Sequence, residues 1–178
     1  MLTITIPSRE FFDEENEIFV YSKEQTIRLE HSLVSISKWE AIFEKPFLES
    51  NDNTWNESLE YIRCMTITQN VPRGVYNYLT DENLRTINEY MEANMTATTV
   101  PKSGGTSREI VTSELIYYWM IALDIPFECQ KWHINRLLML INVCNVKNSP
   151  PKKRSPAEIM ARNRTLNESR KKKYNTRG

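Results

Sequence analysis

The run Leu115-Ile116-Tyr117-Tyr118-Trp119-Met120-Ile121-Ala122-Leu123 is the most apolar stretch of this 178-residue chain. It lies in a predicted helix, Ser107 to Asp124, that is hydrophobic on nearly all sides. A helix that is apolar all round normally occupies the centre of a bundle. The run is far shorter than the ~20 apolar residues that a membrane-spanning helix needs. It therefore predicts a core helix of a soluble protein.

A second apolar helix is predicted directly after it, from Gln130 to about Val146, and Ile125-Pro126 turns the chain between the two. Two such helices form an αα-hairpin that other helices or another subunit must cover. The remaining helices are predicted at Lys38 to Lys45, Trp55 to Thr68, Asp81 to Ala93 and from Pro156 onward, with a helical turn within Pro72 to Leu79.

Capping-box spacing, in which a Ser or Thr is followed three residues later by Glu, indicates where helices begin. Four pairs have this spacing: Ser37 with Glu40, Thr54 with Glu57, Thr106 with Glu109, and Ser155 with Glu158. Thr80, followed by Asp81-Glu82, indicates a fifth start because acidic residues are favourable at the positive end of the helix dipole. Trp55, Leu59 and Ile62 are expected on one face of their helix.

The N-terminal residues indicate strands instead. Leu2, Ile4 and Ile6 alternate with Thr3 and Thr5, and Ile18 to Tyr21 and Thr26 to Glu30 are two further candidates. Only four Gly are present, which favours helices joined by short connections. We therefore expect a mainly α protein: a helical bundle with a short N-terminal β element and a basic C-terminal helical tail.

Charge divides the chain into two segments of opposite sign. Residues 147–178 carry 11 Lys and Arg against two acidic residues, a formal charge of +9, and residues 1–146 carry −9. We predict an acidic, mainly helical domain over 1–146, followed over 147–178 by a basic, Pro-containing linker (Lys147 to Arg154) and a C-terminal helix. Charge asymmetry of this kind usually concerns partners, so an interaction protein is favoured over an enzyme.

No catalytic, cofactor-binding or metal-binding residues are predicted. Cys129 and His133 have ligand types suited to zinc, but a structural site needs four ligands, and His31 is far away in sequence. Cys64, Cys129 and Cys144 do not form a disulfide framework, which indicates a reducing compartment. The first residues lack the pattern of a signal peptide. We expect a non-enzymatic intracellular protein without a membrane anchor.

The candidate interaction residues form two groups. One is aromatic: Tyr117, Tyr118, Trp119 and Trp132. Core packing is the first explanation for this group, and a protein–protein surface is the second. The other is the basic tail: Lys152, Lys153, Arg154, Arg162, Arg164, Arg170, Lys171, Lys172 and Lys173. The tail has three possible roles: a solvated extension, a nucleic-acid contact, or docking onto the acidic body of a neighbouring copy.

Several stretches resemble tail assembly chaperones of long-tailed, siphovirus-type bacteriophages of Gram-positive hosts. They are Leu29-Glu30-His31-Ser32-Leu33 leading to Ser37-Lys38-Trp39-Glu40, Asn94-Met95-Thr96-Ala97-Thr98-Thr99, Thr112 to Met120, Ile125 to His133, and the tail from Pro150 to Asn175. The resemblance extends from about Val20 to the C-terminus. It is one of overall pattern, because none of these stretches is a catalytic signature.

This resemblance implies a non-enzymatic chaperone of viral morphogenesis in the host cytoplasm. Such proteins coat the tape measure protein and keep it soluble during tail assembly, and they are absent from the mature virion. Self-association along the tape measure protein is the expected arrangement. Two alternatives remain open: a small phage nucleic-acid-binding or regulatory protein that uses its basic tail, and a minor structural protein retained in the virion.

Overall fold

The computed structural model describes residues 1–13, 18–50, 53–99, 110–149 and 156–175. Spatial contacts group the chain into two units, Met1–Val146 and Lys147–Gly178. The strands are β1 (Leu2–Ile6), β2 (Arg9–Asp13), β3 (Ile18–Ser22) and β4 (Gln25–Leu29). The α-helices are α1 (Leu33–Phe43), α2 (Trp55–Met65), α3 (Asp81–Glu92), α4 (Ser113–Ala122), α5 (Ile134–Asn148) and α6 (Pro156–Tyr174). Short 3₁₀ segments occupy Phe47–Glu49, Arg73–Tyr78 and Phe127–Lys131. The mainly α class with an N-terminal β element is confirmed.

The β element consists of two antiparallel pairs, β1 with β4 and β2 with β3. The predicted alternation in β1 is confirmed, since Ile4 and Ile6 are buried and the threonines between are exposed. Strand β2 was not predicted. The chain after α2 continues the sheet along the other side of β4, where the Ile67 N–H donates to the Arg28 carbonyl at 2.8 Å.

We call residues Met1–Val146 the body. Its core includes an aromatic cluster centred on Trp39 of α1. Trp39 is fully buried, and its ring lies 4.9 Å from that of Phe43 and 5.1 Å from that of Phe47, measured between centroids. Phe47 stacks on Tyr61 of α2. The Trp39 indole N–H donates to the Glu57 carbonyl at 2.9 Å, so the one polar group of this side chain is satisfied in the core. Trp39 thereby joins α1 to the start of α2.

Two predicted helix starts are confirmed. Thr54 caps α2 in a reciprocal capping box with Glu57, and Thr80 caps α3 in the same way with Asn83. The predicted helical turn within 72–79 is also present, as the 3₁₀ segment Arg73–Tyr78. Of the three residues predicted on one face of α2, Ile62 is buried, Leu59 is half-buried and Trp55 is exposed.

The predicted start of α1 at Ser37 is wrong. The helix begins at Leu33, and Ser32 caps it in a box with Ser35. The Glu40 carboxylate binds elsewhere: it accepts from the Phe47 N–H at 2.9 Å and from the Ser113 N–H at 2.8 Å. Glu40 is buried, and a carboxylate at the first turn of α4 is favourable with respect to the helix dipole. This side chain therefore joins α1 to α4.

Helix α4 differs from the prediction in its start and its burial. It begins at Ser113, capped by Thr112, and residues 110–112 are not helical; the predicted Thr106–Glu109 cap lies outside the described residues. Ser113, Ile116 and Met120 are buried against the rest of the body, whereas Tyr118 and Ile121 are exposed. Within one chain the other helices therefore do not cover α4 on all sides, and its cover by another subunit stays a prediction.

Helix α5 begins at Ile134 and not at Gln130, which belongs to the preceding 3₁₀ segment. It buries Ile134, Leu137 and Ile141. It continues to Asn148, so the first residues of the predicted linker are helical. The rest of that linker and the predicted Ser155 cap lie outside the described residues. The start of α6 at Pro156 is as predicted.

Candidate interaction surfaces and a buried histidine pair

The solvent-facing side of α4 is an apolar surface on the acidic body. Tyr118 is 63% exposed and Ile121 is 61% exposed, and they lie three residues apart on one side of the helix. Phe127, just after α4, is also exposed. Tyr117 lies at the margin, with its ring 6.5 Å from that of Phe127 and its hydroxyl donating to Gln130 Oε1 at 2.9 Å. We call Tyr118, Ile121 and Phe127 the α4 surface.

The other two predicted aromatic residues have different environments. Trp119 is half-buried and packs against the core. Trp132 is half-buried too, and the Arg136 guanidinium lies 4.1 Å from the centroid of its ring, in cation–π geometry. The four aromatic residues therefore differ in environment. Tyr118 is on the α4 surface and Tyr117 borders it, whereas Trp119 packs against the core and Trp132 contacts Arg136 of the same chain.

Helix α6 carries the basic residues predicted for the tail. Arg162, Arg164, Arg170 and Lys171 to Lys173 are exposed, as are all other residues of this helix. Arg164 and Glu168 form an exposed i,i+4 ion pair. Ile159 and Leu166 lie at i and i+7, so they share one face of the helix. Lys152, Lys153 and Arg154 lie outside the described residues. A helix with this exposure has no core of its own to stabilise it.

Two histidines distant in sequence meet inside the body. His31 and His133 are both buried, and their ring centroids lie 5.0 Å apart. The Ile134 N–H donates to the His31 carbonyl at 2.8 Å, which brings the start of α5 against the start of α1. His31 and His133 are far apart in the sequence, so they were not predicted to be neighbours. The antiparallel bridge between Ser32 and His133 in the folded chain places the two histidines together.

Hydrogen bonds define the protonation of this pair. His133 Nε2 lies 3.0 Å from the Tyr90 carbonyl, which can only accept, so Nε2 carries a proton. The Asn135 N–H donates to His133 Nδ1 at 3.3 Å, so His133 is neutral. His31 Nδ1 is hydrogen bonded to the Tyr61 hydroxyl. Burial, with a smaller electrostatic contribution from His133 whenever that ring is also protonated, lowers the pKa of His31 to about 3. Burial also lowers the pKa of His133.

Cys64 and the two histidines lie in environments that favour their neutral forms. Burial raises the pKa of the Cys64 thiol to about 11, which keeps it protonated, whereas a nucleophilic cysteine needs a thiolate. The two histidines are shielded from solvent. Among the described residues, no three His, Cys, Asp or Glu side chains come together in a way that would hold a metal ion. Nor does any helix in this part of the chain combine the length and apolar character needed to cross a membrane.

The chain was compared with models of known protein families, with curated proteins and with solved structures, and none of the three comparisons gave a match.

Proposed function

We propose that this chain is a non-enzymatic tail assembly chaperone of a long-tailed phage. It binds the tape measure protein in the cytoplasm of the infected cell, keeps it soluble, and leaves before the virion is complete. The resemblance in sequence names this class of protein. The α4 surface is the observation that carries the proposal, because a chaperone of an apolar client needs apolar side chains that remain exposed in its folded state.

The composition of the α4 surface suits a protein partner. Tyr and other aromatic residues are enriched at the centres of protein–protein interfaces. Tyr118 adds a hydroxyl that keeps the surface soluble when no client is bound. Such a surface binds a client reversibly, as a factor that is later removed must.

A second candidate function is supported by α6. Six exposed basic residues on one helix would neutralise phosphates, and binding of this kind weakens steeply with salt. The chain would then be a small phage nucleic-acid-binding or regulatory protein. We rank it second because Tyr174 is the single aromatic residue of α6, and binding of single-stranded nucleic acid relies on several stacking aromatic side chains.

The double variant Tyr118→Asp/Ile121→Asp is expected to lose chaperone activity while remaining folded. Substitutions at exposed positions usually change stability by less than about 0.5 kcal/mol, whereas two carboxylates in the α4 surface would have to be desolvated on client binding. Co-expression with a phage tape measure protein measures the effect. The soluble fraction of the tape measure protein is expected to fall at least several-fold relative to wild type.

The matched control is Ile42→Asp/Ile67→Asp, which places the same charges on two exposed isoleucines outside α4. This control should keep the tape measure protein as soluble as wild type does. Equal losses for the two double variants, with both folded by circular dichroism, would contradict a role for the α4 surface. A wild-type chain that never increases the soluble fraction would contradict the proposed function itself.

A further inference from the structure

A second apolar site lies on the body between α2 and α3, and nothing in the proposed function uses it. It is a groove of about 220 Å³. Its apolar lining comes mainly from Trp55, Tyr61 and Ile62 on one side and Leu84 and Met91 on the other. Apolar cavities of about 150 Å³ already accept a benzene molecule. The groove is therefore large enough for a bulky apolar side chain, but small for a cofactor.

Helix α3, which forms one wall of the groove, is acidic. Helix α3 carries four carboxylates, Asp81, Glu82, Glu89 and Glu92, all exposed, against the single guanidinium of Arg85. The ion pair between Arg85 and Glu89 is fully at the surface, where such pairs contribute little. Asn88 lines the groove and lies one turn from Glu92, so the Glu92 carboxylate is close to the groove. The groove therefore favours an occupant that is apolar in the middle and basic at its edges.

Helix α6 has this composition. Ile159 and Leu166 share one face with Arg170, at i, i+7 and i+11, and all three are exposed. Over its length α6 has six basic and two acidic residues, a formal charge of +4, against −3 for α3. No residue of α6 is buried, so its apolar side chains are still exposed. Opposite charges and matching apolar faces are what an interface between these two helices requires.

We propose that the groove between α2 and α3 binds α6 of a second copy of this chain. Ile159 and Leu166 enter the groove, and the basic residues beside them face the carboxylates of α3. The proposal deepens the proposed function, on which it rests for its biological setting, by naming the contact through which copies repeat along a client. Because the tail of one copy binds the body of the next, the contact is heterologous and produces chains or rings rather than closed dimers.

Charge reversal on both sides of this contact provides the test. The body variant Glu89→Lys/Glu92→Lys makes the α3 wall of the groove basic, and Lys is favourable near the C-terminus of α3. The tail variant Arg170→Glu/Lys173→Glu makes the entering helix less basic. Sedimentation velocity at low salt, over a range of protein concentrations, measures self-association of the full chain. Wild type should self-associate, and each variant alone should do so at least about tenfold more weakly.

An equimolar mixture of the two variants should associate again, because the unchanged basic tail of the body variant pairs with the unchanged acidic groove wall of the tail variant. The control Glu24→Lys/Glu128→Lys changes the net charge of the body equally at exposed positions outside the groove, and it should associate like wild type. Failure of the mixture to associate, or equal loss in the control, would overturn the proposal. So would a wild-type chain that is monomeric at every concentration.

This result is independent of client binding. A chain that keeps a tape measure protein soluble but stays monomeric would sink the groove proposal and leave the proposed function intact. Salt-sensitive self-association that responds to the charge reversals, without any effect on the tape measure protein, would support the groove and contradict the function.

Discussion

Trp39→Ala is expected to destabilise the body by about 4 kcal/mol, since replacing a buried Trp or Phe with Ala typically costs about 3–5 kcal/mol. Trp39 is fully buried in the aromatic cluster, so the substitution leaves a large cavity between α1 and α2. It also leaves the Glu57 carbonyl without its indole donor. Because small domains have only about 5–15 kcal/mol of stability, the variant should lie close to the unfolding threshold.

Thermal or urea denaturation followed by circular dichroism at 222 nm measures this loss. The midpoint temperature of Trp39→Ala should fall by roughly 10–15 °C, given about 2–4 °C per kcal/mol for a chain of this size. Trp55→Ala is the matched control, because Trp55 is 57% exposed. It should change stability by less than about 0.5 kcal/mol. Similar losses for the two tryptophans would mean that α1 does not form the centre of the core.

Stability is expected to decrease by about 2 kcal/mol between pH 7 and pH 5 because of His31 alone. In the folded chain its pKa is about 3, and in the unfolded chain it returns to the ordinary value of 6.5. Between these two values the unfolded state binds a proton that the folded state does not. The free energy of unfolding therefore rises with pH in this window, and it falls as pH drops below 6.5.

Other titratable groups change protonation either in the same pH range as His31 or outside it. His133, whose pKa is also lowered, adds to the loss in the same direction. Burial raises the pKa of Tyr61 and of Tyr90, and both stay protonated throughout. Glu57 contributes differently: its hydrogen bond from Lys45 lowers its pKa, so its contribution to stability disappears only below about 4.5. The interval from pH 7 to pH 5 thus reports mainly on the two histidines.

Urea denaturation at pH 7, 6 and 5 measures this dependence, with His31→Gln as the comparison. The variant should be less stable at pH 7 and should lose less stability on acidification than wild type. NMR titration of the His31 ring in the wild-type chain gives a readout that does not depend on the variant folding. An imidazole that protonates near pH 6.5 in the folded protein, or a flat stability between pH 7 and pH 5, would refute the buried neutral pair.

Capping pairs and hydrophobic alternation predicted secondary structure correctly where the residues concerned bind their own helix or strand. Thr54 with Glu57 satisfies the first turn of α2, and the alternation in β1 matches its pairing with β4. The same spacing at Ser37 with Glu40 was misleading, because Glu40 binds the backbone of Phe47 and Ser113, which are distant contacts. A capping pattern shows which nearby backbone N–H a carboxylate could bind. The tertiary structure determines which N–H it binds in the folded chain.

The candidate sites were less accessible to sequence reasoning. The composition of α4 does not distinguish a helix buried on all sides from one with an exposed apolar face, and the distinction depends on which helices cover it. The approach of His31 to His133 depends on a bridge between residues about one hundred positions apart in the chain. The groove between α2 and α3 requires the positions of both helices. The basic charge of α6 needed no tertiary information, because it can be counted in the sequence.

Affinity capture from infected cells tests the proposed chaperone function most directly. The tagged full chain would be purified after nuclease treatment, and its partners would be identified by mass spectrometry and by assay for co-eluting nucleic acid. We expect a long phage tape measure protein to be retained through nuclease treatment, and to be lost with Tyr118→Asp/Ile121→Asp. Capture of nucleic acid alone, with no tape measure protein, would contradict the chaperone function and favour the nucleic-acid-binding alternative.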